Sequence, residues 1–147
     1  MINRPKPLLC VEHIEKYYGN QGSVTKALNQ VSFYVQHGEF VSIMGASGSG
    51  KTTLLNCIST IDTVSAGHIL LDGKDITTIS EDDISAFRRD NLGFVFQDFN
   101  LLDTLSVKDN IILPLVLSRR PVKEMMSKVD SVSRELGIHQ LLEKYPY

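Results

Sequence analysis

Residues Gly45-Ala46-Ser47-Gly48-Ser49-Gly50-Lys51-Thr52 complete the pattern G-x-x-x-x-G-K-[ST], and no other stretch limits the fold as tightly. The glycines permit backbone angles that turn successive N–H groups into one concavity. A helix starting near Lys51 adds its unsatisfied N–H groups and the positive end of its dipole. Lys51 brings a full charge to the β- and γ-phosphates of a nucleotide. The Thr52 hydroxyl is a hard oxygen ligand suited to Mg²⁺, and Thr53 can donate to an α-phosphate oxygen. The context agrees. Residues 40–44 are largely apolar and read as a strand buried on both faces. After the loop, Leu54, Leu55 and Ile58 follow helical spacing. A strand, a glycine loop and a helix in this order predict nucleoside triphosphate binding. The loop alone does not say which nucleotide is bound, or what its energy drives.

The rest of the chain supplies strands early and helices late. Residues 8–18 mix β-branched and aromatic side chains with polar ones in rough alternation, which predicts a strand. Residues 19–23 read as a loop, residues 31–35 as a second strand, and His37-Gly38 as a turn. Residues 67–71 run into Asp72-Gly73, a strong hairpin turn signal. Ser80 with Asp83 predicts a capped helix to about Arg89, and Ser106 with Asp109 predicts another. The latter should bend or stop near Pro114. Residues 92–96 read as a strand ending at Gln97. Pro121 and Gly137 bracket a further helix, with Val122, Met125, Val129, Val132 and Leu136 on one core-facing stripe. This order predicts an α/β core carrying an antiparallel part.

Composition excludes several classes. The formal net charge of −2, with scattered basic residues, gives no electrostatic case for nucleic acid as the partner. The two cysteines, Cys10 and Cys57, are far apart, which argues against a disulfide framework and fits a reducing compartment. The four histidines are dispersed, so a metal site built on them is not expected. No apolar run approaches the roughly 18 residues of a membrane span. The first residues lack the apolar centre of a signal peptide. A soluble, cytoplasmic protein is the expectation.

Three segments resemble the ATP-binding subunits of ABC transporters: Gly38-Glu39-Phe40-Val41-Ser42-Ile43-Met44 leading into the loop, Ser65-Ala66-Gly67-His68-Ile69-Leu70-Leu71-Asp72-Gly73, and Gly93-Phe94-Val95-Phe96-Gln97. The resemblance covers nearly the whole chain. The stretch from Phe87 through Gln97 to Leu102 is similar to the branch serving macrolide exporters, lipoprotein release and antimicrobial-peptide export. Thr60-Ile61-Asp62 and Leu101-Leu102-Asp103-Thr104-Leu105 resemble its bacitracin-export subgroup.

The resemblance implies a P-loop NTPase (RecA-like) α/β core with an ABC-type antiparallel β subdomain and the start of an α-helical subdomain. It implies residues 1–97 as the ATP-binding core and residues 98–147 as the start of the helical part. ATP and Mg²⁺ would be bound. Tyr18 matches the aromatic residue that stacks on adenine, with Tyr17 the lesser candidate; such stacking contributes about 1–3 kcal/mol. Gln97 matches the glutamine whose carboxamide ligates Mg²⁺ and places the attacking water. Lys51 and Gln97 are thus the candidate catalytic residues. Residues 98–120 correspond to the region contacting a transmembrane permease. In the intact domain a second copy would complete an ATP sandwich, held to the inner face of the membrane through the permease.

The chain departs from the family pattern after Glu143-Lys144-Tyr145-Pro146-Tyr147, which looks like the lead-in to the signature motif. That motif, the acidic strand with its catalytic glutamate and the switch histidine are not among these residues, so a truncated domain with weak nucleotide binding and negligible hydrolysis is expected. Unpaired sheet edges would then invite aggregation. Asp72 follows an apolar run as a Mg²⁺-organising aspartate does, but Gly73 after it marks a turn. A catalytically inactive nucleotide-binding module is the alternative. A GTPase is disfavoured because Asp90-Asn91-Leu92-Gly93 precedes a predicted strand and no N-K-x-D segment exists. A small-molecule kinase would need an acceptor site and an arginine-rich lid.

Overall fold

The computed structural model describes residues 6–19 and 22–146. It divides into two compact units, Met1–Gly93 and Phe94–Tyr147. In the first, strand β1 (Leu9–Tyr18) pairs antiparallel with β2 (Thr25–Val35) on one side. On its other side it pairs with β3 (Ala66–Leu71), and the short β4 (Lys74–Asp75) completes the sheet in the order β2-β1-β3-β4. The part of the predicted 19–23 loop at residues 20–21 lies outside the described residues, as do residues 1–5 and 147.

The rough alternation of β1 has a structural cause. Val11 and Ile14 are only 1% and 0% exposed although three residues apart. Strict alternation would put them on opposite faces. The register shifts between them, with His13 at φ 47, and this bulge returns both to the core side. The β3–β4 hairpin follows its sequence signal. Leu71 faces Lys74 across a two-residue turn in which Asp72 (φ 48) and Gly73 (φ 76) both take the left-handed conformation.

Helix α1 (Lys51–Ile58) follows the glycine loop, and α2 (Glu81–Asn91) follows a 3-10 turn at Ile76–Thr78. The Ser80 hydroxyl accepts from the Asp83 N–H and donates to the Asp83 carboxylate, so Ser80 caps α2 as predicted. Ile14, Val11, Leu28, Ile69, Leu54, Cys57, Ile76 and Phe87 form one core drawn from the sheet, both helices and the turn between β4 and α2.

In the second unit, α3 (Val107–Leu117) and α4 (Val122–Glu135) pack through Ile112, Met125 and Val129. Ser106 caps α3 through Asp109, as predicted. The helix runs on through Pro114 to Leu117 rather than stopping there. Proline removes a single backbone donor, and the Ser118 N–H still closes the last turn on the Pro114 carbonyl at 3.1 Å. After α4, the Gly137 N–H bonds the Arg134 carbonyl and the Ile138 N–H bonds the Ser133 carbonyl, the paired bonds of a Schellman stop. The expected apolar stripe is only partly core: Met125 and Val129 are buried, whereas Val122, Val132 and Leu136 are exposed.

Two predicted strands do not form. Residues 40–44 and 92–96 carry strand-like side chains but pair with no strand among the described residues. Phe40 is 95% and Val95 101% exposed. A strand exists through bonds to its neighbour, and composition cannot supply the neighbour. Every paired strand among the described residues belongs to the antiparallel sheet, and the glycine loop and α1 lie outside it.

Candidate nucleotide-binding site

Strand β2 supports the loop from beneath. Gly50 closes the loop at φ 88, and a Cβ there would lie 2.5 Å from the Ala27 carbonyl oxygen and 3.2 Å from the Leu28 side chain. Glycine alone meets both demands. Within the loop the Ser49 N–H donates to the Ala46 carbonyl at 3.2 Å. Gly50 then caps α1 without any side-chain cap bond, and the first turn holds no acidic residue. The first helical bond runs from the Leu54 N–H to the Gly50 carbonyl at 2.8 Å. The N–H groups of Lys51, Thr52 and Thr53 thus precede the hydrogen-bonded helix. An uncapped, acid-free helix start of this kind fits a bound anion.

Lys51 completes the cradle. Its Nζ donates to the Gly45 carbonyl at 2.8 Å and the Ala46 carbonyl at 2.7 Å, with the Ser49 Oγ at 3.5 Å. The ammonium is held across the loop by carbonyls that phosphate oxygens can replace. Gly45, Ala46 and Gly48 shape this arch. An open cleft of about 760 Å³ lies between Thr25–Ala27 of β2 and residues 47–53, so Ser47, Ser49, Thr52 and Thr53 all line it. The residues present fit a polyphosphate.

Tyr18 ends β1 and is 42% exposed. Its hydroxyl donates to Asp62 Oδ2 at 2.6 Å. Lys16 Nζ lies 5.1 Å from the centroid of the Tyr18 ring and donates to Asp62 Oδ1 at 2.5 Å and to the Thr63 carbonyl at 2.6 Å. The phenol pKa is raised, chiefly because its proton bonds the Asp62 carboxylate. Tyr17, the other candidate, is engaged elsewhere: its hydroxyl bonds Glu15, and Lys26 Nζ lies 5.2 Å from its ring centroid.

The sequence profile of the ABC transporter family matches residues 28–146. The chain belongs to this family. It is 48% identical over 139 residues to the bacitracin export ATP-binding protein BceA of Halalkalibacterium halodurans, covering 95% of this chain and 55% of that protein. It is 36% identical over 140 residues to the macrolide export ATP-binding/permease protein MacB of Brucella abortus, covering 95% of this chain and 22% of that one. Among solved structures it resembles MJ0796, a bacterial ABC transporter cassette, in its dimeric form and in a post-hydrolysis state bound to ADP and Pi. For each the TM-score is 0.84 and the identity 32%, over 94% of this chain and 61% of the cassette. The chain therefore spans about half the length of BceA and a smaller share of MacB.

Other expected features of an ABC ATP-binding subunit sit as follows. Gln97 belongs to the second unit, exposed and in a bend with Asp98, whereas the loop and Tyr18 belong to the first. Asp72 is a turn residue and takes no part in the cleft. No cluster of three or more His, Cys, Asp or Glu suited to a metal exists among the described residues. No helix there is long and apolar enough to cross a membrane. Ser133, His139 and Asp130 imitate a hydrolytic triad. However, Ser133 is 0% exposed, and both it and Asp130 approach the same ring atom, Nδ1, so no relay exists.

Sequence reasoning missed Lys16 and Asp62. The sequence offered no signal for the pair: only the fold shows Lys16 to be 8% exposed, where a charge requires a partner. Burial raises the Asp62 pKa. The bonds from Lys16 and Tyr18, and the Thr63 N–H at 2.7 Å, outweigh it and hold the carboxyl below its ordinary value. A depressed carboxylate contributes stability that is present above the unfolded value of about 3.9 and lost as pH falls through the folded one. Replacing Asp62 by asparagine should therefore cost about 2 kcal/mol at neutral pH. In urea titrations the gap between the two proteins should close as pH drops below about 4.

Proposed function

We propose that residues 45–53 bind the phosphates of ATP, with Lys51 on the β- and γ-phosphates and the Thr53 hydroxyl near the α-phosphate. Tyr18 stacks on the adenine. Mg²⁺, when bound, would neutralise phosphate charge, and the Thr52 hydroxyl would be a ligand to it. The observation that carries this reading is the uncapped start of α1, with three helical N–H groups ahead of the first helical bond and no acid in the first turn. Residues 1–97 form the ATP-binding part, and residues 98–147 the start of the helical part that meets the permease.

In the whole protein this binding drives ATP hydrolysis and, through a membrane permease at the cytoplasmic face, export or removal of a substrate such as an antimicrobial peptide or a lipid-linked compound. BceA, named for bacitracin export, and MacB, for macrolide export, support that reading. The dimeric state of the similar cassette supports a second copy as partner.

Calorimetry on the 147-residue chain tests the nucleotide assignment. ATP should bind more tightly than GTP, inorganic tripolyphosphate should compete, and phosphate release should be negligible for these residues alone. A folded chain that takes up neither ATP nor tripolyphosphate would remove the proposal.

A further inference from the structure

We propose that Asp62, itself fixed by Lys16, is a positioning residue that holds the Tyr18 ring ready for the base. The inference rests on the reading of Tyr18 as the stacking residue and deepens it. Three groups from two distant segments converge on one carboxylate. Oδ1 accepts from Lys16 Nζ at 2.5 Å and the Thr63 N–H at 2.7 Å, and Oδ2 accepts from the Tyr18 hydroxyl at 2.6 Å. Lys16 Nζ also bonds the Thr63 carbonyl at 2.6 Å, so the ammonium grips both the side chain and the backbone of the segment that follows α1.

The same ammonium lies 5.1 Å from the centroid of the Tyr18 ring. A cation there attracts the electron-rich ring, while the phenol is tethered at its far end. The ring is thus held at two points and still 42% exposed. Lys16 is 8% exposed, so this anchor is part of the fold and not a loose surface pair. Tyr18 pairs with Thr25 of β2, which lines the cleft together with residues 47–53, and this register sets the end of β1 beside the phosphate loop. An aromatic side chain already fixed gives up little freedom when a base stacks on it.

This chemistry serves adenine, not the phosphates, and that separates it from a general structural role. ATP and inorganic tripolyphosphate would be titrated into the wild-type chain and into Tyr18→Phe, Asp62→Asn and Tyr18→Ala. Tyr18→Phe keeps the ring and removes only the tether. It and Asp62→Asn should each weaken ATP binding by about three- to tenfold and leave tripolyphosphate within about twofold.

Tyr18→Ala should weaken ATP at least as much. Should Tyr18→Phe bind ATP like wild type while Tyr18→Ala does not, the ring stacks without needing its anchor, and this proposal fails alone. Should Tyr18→Ala bind ATP normally, the stacking reading fails and takes the proposal with it. A parallel fall in tripolyphosphate affinity would also overturn it, because the loss would then lie in the loop. If Asp62→Asn does not fold with Lys16 left unpaired, Tyr18→Phe decides the matter.

Discussion

Replacing Lys51 by alanine is expected to lower the ATP affinity of this chain by about ten- to a hundredfold while leaving its unfolding midpoint nearly unchanged. A charge-assisted hydrogen bond to phosphate contributes about 1.5–3 kcal/mol, and each 1.4 kcal/mol is roughly a factor of ten. The ammonium is not idle beforehand. It bonds the Gly45 and Ala46 carbonyls, so nucleotide binding trades two neutral acceptors for charged ones. Those carbonyls lie at the surface, where water can replace the lysine at little cost, and the fold loses almost nothing. Titration of ATP by calorimetry, alongside urea unfolding, separates the two effects. Unchanged ATP affinity in a folded Lys51→Ala protein would undo the assignment of the loop.

Ile69→Ala should have the largest effect on stability, about 2–5 kcal/mol, because a buried branched side chain is lost and the cavity closes only partly. Ile69 is 0% exposed in β3, opposite Val11 of β1, and belongs to the core that β1, β2, α1 and α2 share. A domain of ordinary stability has only about 5–15 kcal/mol in total. The urea midpoint should fall steeply, and ATP should partly restore it by binding the folded form alone. An unfolding free energy within about 0.5 kcal/mol of wild type would mean that the core closes around the gap, contrary to the tight burial of its neighbours.

Features encoded within a few residues were legible in the sequence. The loop, the Asp72-Gly73 turn, the caps at Ser80 and Ser106 and the stop at Gly137 all depend on local backbone chemistry. The structure has each where the residues put it. Features that depend on distant partners were not legible. Residues 40–44 read as a strand, yet no ladder among the described residues receives them. Asp62 showed in the sequence only as part of Thr60-Ile61-Asp62, with no role of its own, because its partners, Lys16 and Tyr18, stand 46 and 44 positions away in the chain. Lys16 sat in the polar half of an alternation that a bulge at His13 had already shifted. The glycine loop proposed to hold phosphate is local and was readable; the Lys16–Asp62–Tyr18 cluster is tertiary and was not.

The contact between Gly50 and the Ala27 carbonyl joins two segments 23 positions apart. The loop acquires its shape only once β2 is docked beneath it. If the loop binds nucleotide as proposed, whatever tightens the arch should also discourage fraying of that strand. Amide hydrogens of β2 near Ala27 should exchange more slowly when ATP is present, although none of those residues need touch the phosphates. The strand acts as a floor whose rigidity the ligand reads at second hand.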